Sequence, residues 1–288
     1  MLKKRIIATL VVRDGIVVQS MTFNRYLPVG KPDIAVEFLN EWGIDEIILL
    51  DISATRDGRG PDYAMVRSVA SHCRVPLTVG GGIGQIEHIS ELMHCGADKV
   101  AFNHATLHHP ALLTAAARLF GDQCIVASVD ALLTDAGHRV YNYREHATQQ
   151  QTPMEFASQL QRLGAGEILI NSVDRDGSYL GFDLALIADV CAAVTIPVIC
   201  CGGAGRAQHF SDAFQQTRVS GAAAANFFHF TEHSVTATKA QISQIIPVRH
   251  ETYFNYKCSR FDVDGRLLKK EDRELEDLLF VRIEKEII

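Results

Sequence analysis

No stretch of the sequence approaches the roughly 18 unbroken apolar residues of a membrane span, so no membrane partner is expected. The start, Met1-Leu2-Lys3-Lys4-Arg5, is followed by one short apolar run and then by Arg13 and Asp14. That is a poor secretory signal and a good first strand. There is no excess of positive charge: 28 Lys and Arg stand against 34 Asp and Glu, a net charge of −6. A general nucleic-acid binder would carry the opposite balance. The seven cysteines (73, 95, 124, 191, 200, 201, 258) are odd in number and follow no metal-ligand spacing. They read as buried free thiols of a cytoplasmic protein that needs no metal and no cofactor. The histidines are scattered, and His229, between two phenylalanines, reads as structural.

What is present is apolar sequence in quantity. Of 288 residues, 47% are hydrophobic, enough for one large domain or two ordinary ones. Apolar strand-like runs alternate with helical periodicity. Strands are expected near residues 6–12, 46–51, 75–79, 99–103, 124–130, 167–171, 197–201 and 222–226. Helices are expected near 34–42, 63–72, 86–95, 110–120, 153–163, 184–193, 209–214 and 235–245. Residues 19–32 and 132–152 read as long loops. Eight strand–helix units in this length predict an α/β fold, a (β/α)8 TIM barrel. Strands apolar on both faces suit a parallel sheet covered by helices.

The two halves repeat. Gly80-Gly81-Gly82-Ile83-Gly84 ends one apolar run, and Gly202-Gly203-Ala204-Gly205 ends another, 121 positions after Gly81. Gly43-Ile44-Asp45-Glu46 and Gly164-Ala165-Gly166-Glu167 share that offset. A glycine turn between strand and helix exposes backbone N–H groups and leaves room for a phosphate. Two in one register predict two half-barrels and a ligand with a phosphate at each end. The glycines, Asn103 and Asn226 all fall at C-terminal strand ends, the functional face of such a barrel.

The motifs Lys4-Arg5-Ile6-Ile7, Leu77-Thr78-Val79-Gly80-Gly81-Gly82-Ile83, Gly96-Ala97-Asp98-Lys99-Val100, Asp174-Arg175-Asp176-Gly177 and Phe228-His229-Phe230 span the barrel. Over about the first 250 residues they resemble the cyclase subunit of imidazole glycerol phosphate synthase, the HisF family. The resemblance implies a partner glutaminase (HisH-like) that releases ammonia. Ammonia then crosses the barrel to a bis-phosphorylated ribulosyl intermediate, giving imidazole glycerol phosphate and an aminoimidazole carboxamide ribotide. It implies an ammonia gate of Arg5, Glu46, Lys99 and Glu167, and a glutaminase contact at Asp98. Phosphate sites are implied at Gly82, Asn103 and His104, and at Asp176, Gly177, Gly203, Ala225 and Asn226. Asp51 and Asn171 would face the ligand, and Asp130 matches one of two catalytic aspartates.

Two positions depart from the family pattern. Val11 stands where the second aspartate belongs, and the repeat says the same, since Ala8-Thr9-Leu10-Val11 aligns with Ala127-Ser128-Val129-Asp130. Gln19 replaces a lysine on the first loop. These changes favour a divergent paralogue that still takes ammonia but serves another acceptor, as in acetamidino-sugar formation for surface polysaccharide with a sugar amidotransferase. True histidine biosynthesis and a non-catalytic glutaminase activator are the alternatives. Residues 1–250 form the expected barrel. Residues 251–288 form an extension, with an Asp264-Gly265 hairpin signal and an amphipathic helical pattern over 271–288.

Overall fold

The computed structural model describes residues 3–229, 233–243, 245–249, 260–263 and 267–273. In chain order the elements are β1 (Arg5–Arg13), β2 (Ile16–Met21), β3 (Arg25–Gly30), α1 (Pro32–Glu41), β4 (Glu46–Asp51), α2 (Ile52–Arg56) and α3 (Tyr63–His72). Then come β5 (Leu77–Gly80), α4 (Ile86–His94), β6 (Lys99–Phe102), α5 (His104–His108) and α6 (Pro110–Phe120). The second half holds β7 (Ile125–Thr134), β8 (Gly137–Asn142), β9 (Ala147–Thr148), α7 (Pro153–Leu163), β10 (Glu167–Ser172) and α8 (Leu184–Ala193). It closes with β11 (Val198–Cys201), α9 (Ala207–Gln216), β12 (Gly221–Ala224) and α10 (Ser234–Ile242).

Eight parallel strands close in the order β1-β4-β5-β6-β7-β10-β11-β12, and β12 returns to β1 with Arg5 opposite Gly221. The expected (β/α)8 barrel is the observed fold. Strands β1 and β7 stand four places apart in either direction and so face each other across the bore. Side-chain alternation sorts each strand into two sets. Ile7, Ile48, Ala101, Val126, Leu169, Ile199 and Ala223 fill the bore. The other phase, with Ile6, Ala8, Leu10, Ile47, Leu49 and their mates, packs beneath the helices. At the bottom, Lys239 of α10 reaches the Gly43 carbonyl at 2.5 Å and Asp45 at 2.6 Å, while Asp45 accepts the Ile6 N–H at 2.7 Å. This buried pair fixes the last helix to the first strand.

Both expected long loops are corrected. Residues 19–32 contain most of an antiparallel β-hairpin, β2–β3, carried on an extended β1. The turn from β1 into β2 is Asp14-Gly15, with φ of 53° and 79°. Positive φ at both positions matches the right-handed strand twist, and Asp-Gly supplies it. Residues 132–152 contain the end of β7, β8 and β9, a second antiparallel arm. The two arms leave the barrel from repeat-mate strands. Polar composition masked both, because β3, β8 and β9 bury little, although β2 is largely buried.

Among the described residues no helix is long and apolar enough to cross a membrane. Six cysteines are free thiols, none of them exposed, and Cys258 lies outside the described residues. In the extension, Phe261 pairs antiparallel with Leu267, and the Leu268 N–H donates to the Arg260 carbonyl at 2.8 Å. The Asp264-Gly265 turn and most of the expected 271–288 helix lie outside the described residues.

Candidate functional site

At the N-terminal end of the barrel, four charged side chains meet. Arg5 opens β1, Glu46 opens β4, Lys99 opens β6 and Glu167 opens β10. Arg5 pairs with Glu46 at 2.5 Å and also with Glu167. Lys99 lies 2.9 Å from Glu46 and 2.8 Å from Glu167. Each cation therefore bridges both carboxylates, and signs alternate around a closed ring. Thr78 adds a hydrogen bond to Glu46 at 3.2 Å. Burial works against both cations, but the two carboxylates outweigh it and hold Arg5 and Lys99 above their usual pKa values. Asp98, next in sequence to Lys99, is on the same face, exposed, and accepts the Leu77 N–H at 2.8 Å.

At the opposite end, Asp130 is buried with 5% of its surface exposed. Asn103 donates to it at 2.9 Å, and β7 and β10 pair so that Asn171 is its direct neighbour. Burial raises the Asp130 pKa to about 7, the Asp176 charge adds to the rise, and Asn103 and Asn171 oppose it. A carboxyl near neutrality exchanges a proton readily in either direction. The amide oxygens of Asn103 and Asn171 are buried without hydrogen-bond partners. They leave two acceptors beside the one carboxyl.

The remaining expected residues divide. Gly82 has φ of 70°, and a Cβ there would lie 2.7 Å from the Arg59 carbonyl oxygen. Its N–H donates to Thr55 at 3.3 Å. His104 follows Asn103, stacks on His108 at 4.2 Å and lies 3.4 Å from Arg144 of the second arm. On the other side, Gly177, Asp176 and Asn226 lie against the first hairpin, with a Cβ on Gly177 meeting the Ser20 carbonyl oxygen at 2.6 Å, while Ala225 precedes Asn226 and Gly203 packs on Gly181. The Ser20 N–H donates to Asn226 at 3.1 Å, Asn226 donates back to the Ser20 carbonyl at 2.6 Å, and Ser20 Oγ donates to Asp176 at 2.6 Å. Asn226 thus spends both ends of its amide on the hairpin.

Asp51 is turned away from the bore. Its neighbour Leu50 packs on the bore cluster, and alternation sends Asp51 outward. It caps α2 through the N–H groups of Ser53 and Ala54 and pairs with Arg59 at 2.7 Å. Gln19 sits on strand β2 rather than on a loop. It is buried and donates to the Tyr179 hydroxyl at 3.3 Å. Val11 is in phase with Ile7 and Thr9, and Thr9 reaches Cys201 across the bore wall. Asp14 does not replace it. It lies at the exposed tip of the β1–β2 turn, tied to Ser53 and Arg56.

The sequence matches the family described as histidine biosynthesis protein over residues 5–234. The chain belongs to that family. One relative, from Vibrio vulnificus (strain YJ016), is provisionally named imidazole glycerol phosphate synthase subunit hisF2. It is 41% identical over 267 residues, 92% of this chain and 98% of its own. The imidazole glycerol phosphate synthase subunit HisF of Geobacillus thermodenitrificans (strain NG80-2) is 41% identical over 246 residues, 85% of this chain and 98% of its own. That of Streptococcus sanguinis (strain SK36) is 42% identical over 240 residues, 83% of this chain and 95% of its own.

Within this barrel, sequence reasoning missed Ser20, Arg59 and Arg144. Ser20 is identifiable only through contacts 156 and 206 residues away. The arm that carries Arg144 carried a usable signal in Asp135-Ala136-Gly137, a turn between two runs that pair. The raised Asp130 pKa also predicts a pH dependence. Between about 4 and about 7 the folded protein holds a proton on Asp130 that the unfolded chain, with a usual value of 3.8, has released. Folding stability therefore falls as pH rises through that window. Asp130→Asn is expected to flatten this fall and to be more stable than the parent above pH 7, as read by denaturant melts at several pH values.

Proposed function

We propose that the chain is a HisF-type subunit that takes ammonia from a partner glutaminase at the Arg5–Glu46–Lys99–Glu167 face. In this reading the ring gates the bore and Asp98 contacts the glutaminase. The opposite face holds a phosphorylated sugar-type ligand. Gly82, Asn103 and His104 take one phosphate, and Asp176, Gly177, Gly203, Ala225 and Asn226 frame the other once Ser20 is displaced. Asn171 meets the middle of the ligand, Gln19 flanks it without charge, and Asp130 moves the proton. Asp51 acts through Arg59, which it holds beside the Gly82 turn.

The side chain at position 11 carries the choice between readings. A valine there, across the bore from Asp130, leaves one proton-transfer group where ring closure draws on a pair. It supports a paralogue whose acceptor is the acetamido group of a sugar bound for surface polysaccharide, completed by a sugar amidotransferase. The longer alignment with the hisF2 protein, 92% of this chain against 85% for HisF of Geobacillus, points the same way. The identity of about two residues in five to HisF subunits favours histidine biosynthesis as the second reading.

The readings are separated by incubating the purified chain with an ammonium salt and the bis-phosphorylated ribulosyl intermediate. Loss of the intermediate is expected to be at least about 10²-fold slower than with an ordinary synthase. Turnover within a few-fold of an ordinary synthase, or rescue of a histidine auxotroph, returns the chain to histidine biosynthesis.

A further inference from the structure

The two glycine turns share a side-chain contact that closing the barrel does not require. In the first half, the ring of His88 on α4 lies against the turn. Its Nδ1 is 3.3 Å from the Gly84 N–H and 3.1 Å from the Gly82 carbonyl. In one tautomer it accepts from Gly84, and in the other it donates to Gly82. Either way it joins the ring to the turn. In the second half, the Gly205 N–H donates to Nδ1 of His209 on α9 at 3.1 Å. His88 and His209 are separated by the repeat offset, as are Gly84 and Gly205.

Behind each ring stands a glycine from the preceding strand–helix loop. A Cβ at Gly60 would lie 3.2 Å from Cε1 of His88, and one at Gly181 would lie 3.4 Å from Cδ2 of His209. These glycines share the offset too, and they also touch the turns. A Cβ on Gly82 would lie 2.8 Å from the Gly60 carbonyl carbon, and the Gly181 N–H donates to the Gly203 carbonyl at 2.8 Å. Each turn is thus held between the histidine of the helix that follows and a glycine of the loop that precedes.

Reaching back from the third helical position toward a free backbone N–H is ordinary helix capping, for which Glu and Gln are the usual side chains. A cap alone would stabilise the helix and do nothing to a ligand. The placement here is different. The captured N–H belongs to the glycine turn, before the helix begins. Gly82 and Gly203 sit at φ of 70° and 103°. Glycine in such conformations has wide freedom, and ordering it on binding weakens affinity.

We propose that His88 and His209 are positioning residues. By holding Gly84 and Gly205, they pre-set the turns so that the other turn amides converge on a phosphate. This rests on the reading that the two turns hold the phosphates of one ligand. The halves differ at the residue before the helix. Arg206, where the first half has Gln85, places Nε 3.0 Å from His209 Nε2. A neutral imidazole accepts at one nitrogen only, so Arg206 and Gly205 compete for His209, and an anion drawing Arg206 away leaves the Gly205 contact intact.

The test is a titration of the full chain with inorganic phosphate, followed by calorimetry and by amide NMR at both turns. In the parent, phosphate is expected to shift the amides of both turns. His88→Leu and His209→Leu are each expected to weaken phosphate at their own turn roughly three- to tenfold, the loss of one hydrogen bond. His88→Asn and His209→Asn, which keep a polar atom near Nδ1, are expected to restore affinity to within about twofold, since the loss of a single such bond is all they repair. If phosphate shifts neither turn in the parent, the phosphate reading falls and the proposal with it. If the parent binds and the leucine variants bind equally well, or merely melt earlier, the histidines are caps and the proposal alone is overturned. Should a leucine variant not fold, the parent decides. A scalar coupling across the Gly205 N–H to His209 Nδ1 supports the contact, and its absence overturns it.

Discussion

Val11→Asp is expected to raise turnover of the bis-phosphorylated ribulosyl intermediate by a factor of about 10²–10⁴, the usual contribution of one general acid or base. The barrel geometry explains why a single substitution can do this. Position 11 is in phase with Ile7, which packs inside the bore. It is on β1, and Asp130 is on β7, four strands away in either direction. A carboxylate at position 11 therefore enters the same end of the bore as Asp130. Asp130 is already raised to about 7 by burial, and a second negative charge raises it further. The pair then titrates as a unit, with one proton shared near neutral pH. The variant is expected to be less stable than the parent above pH 7, because both carboxylates ionise there in a confined space. Steady-state turnover with ammonium salt, for parent and variant, checks the rate. No gain in the variant would show that more than position 11 separates this chain from cyclase chemistry.

Arg5→Met is expected to destabilise the fold by about 3–5 kcal/mol near neutral pH. The ring at the bottom of the barrel balances two cations against two nearly buried carboxylates, with side-chain exposures of 2% for Glu46 and 6% for Glu167. Removing Arg5 leaves both carboxylates facing Lys99 alone. Repulsion and desolvation then act on groups that cannot reach water. Chemical denaturation of parent and variant at pH 7.5 measures the loss. A loss under 1 kcal/mol would mean that the ring is solvated as a surface pair would be. On the proposed gate reading, the same variant would also loosen the coupling between ammonia passage and ligand binding.

Several features of the site are legible in the order of residues alone. The offset of 121 residues sets two half-barrels side by side and makes the glycine turns a matched pair. Alignment of the two halves exposes Val11 as the missing mate of Asp130 without reference to any relative. The ring was expected from the resemblance to the HisF family, and strand order agrees with it, because its four members each open a strand and strand openings share one end of a parallel barrel. The arms are harder. Asp14-Gly15 lies between Leu10-Val11-Val12-Arg13 and Ile16-Val17-Val18, a hairpin pattern that the polar residues after it obscure.

Residue order alone carries the class of fold, the doubled architecture and which residues stand at each end of the barrel. Those follow from periodicity and register, which are local and survive any detail of packing. The roles of the groups at each end came from the resemblance to the HisF family. Which side chains are free to act was set by how the elements pack. Alternation along β4 turned Asp51 outward onto α2 and Arg59. The hairpin brought Ser20 onto Asn226, 206 residues away, and so engaged a residue that strand position alone would leave open. Burial, not charge pairing, brought Asp130 to neutrality. The Asp51 contacts lie within eight residues, but the Ser20–Asn226 contact and the burial of Asp130 depend on segments far apart in the chain. Such contacts exist only once the barrel has closed, and no local pattern encodes them.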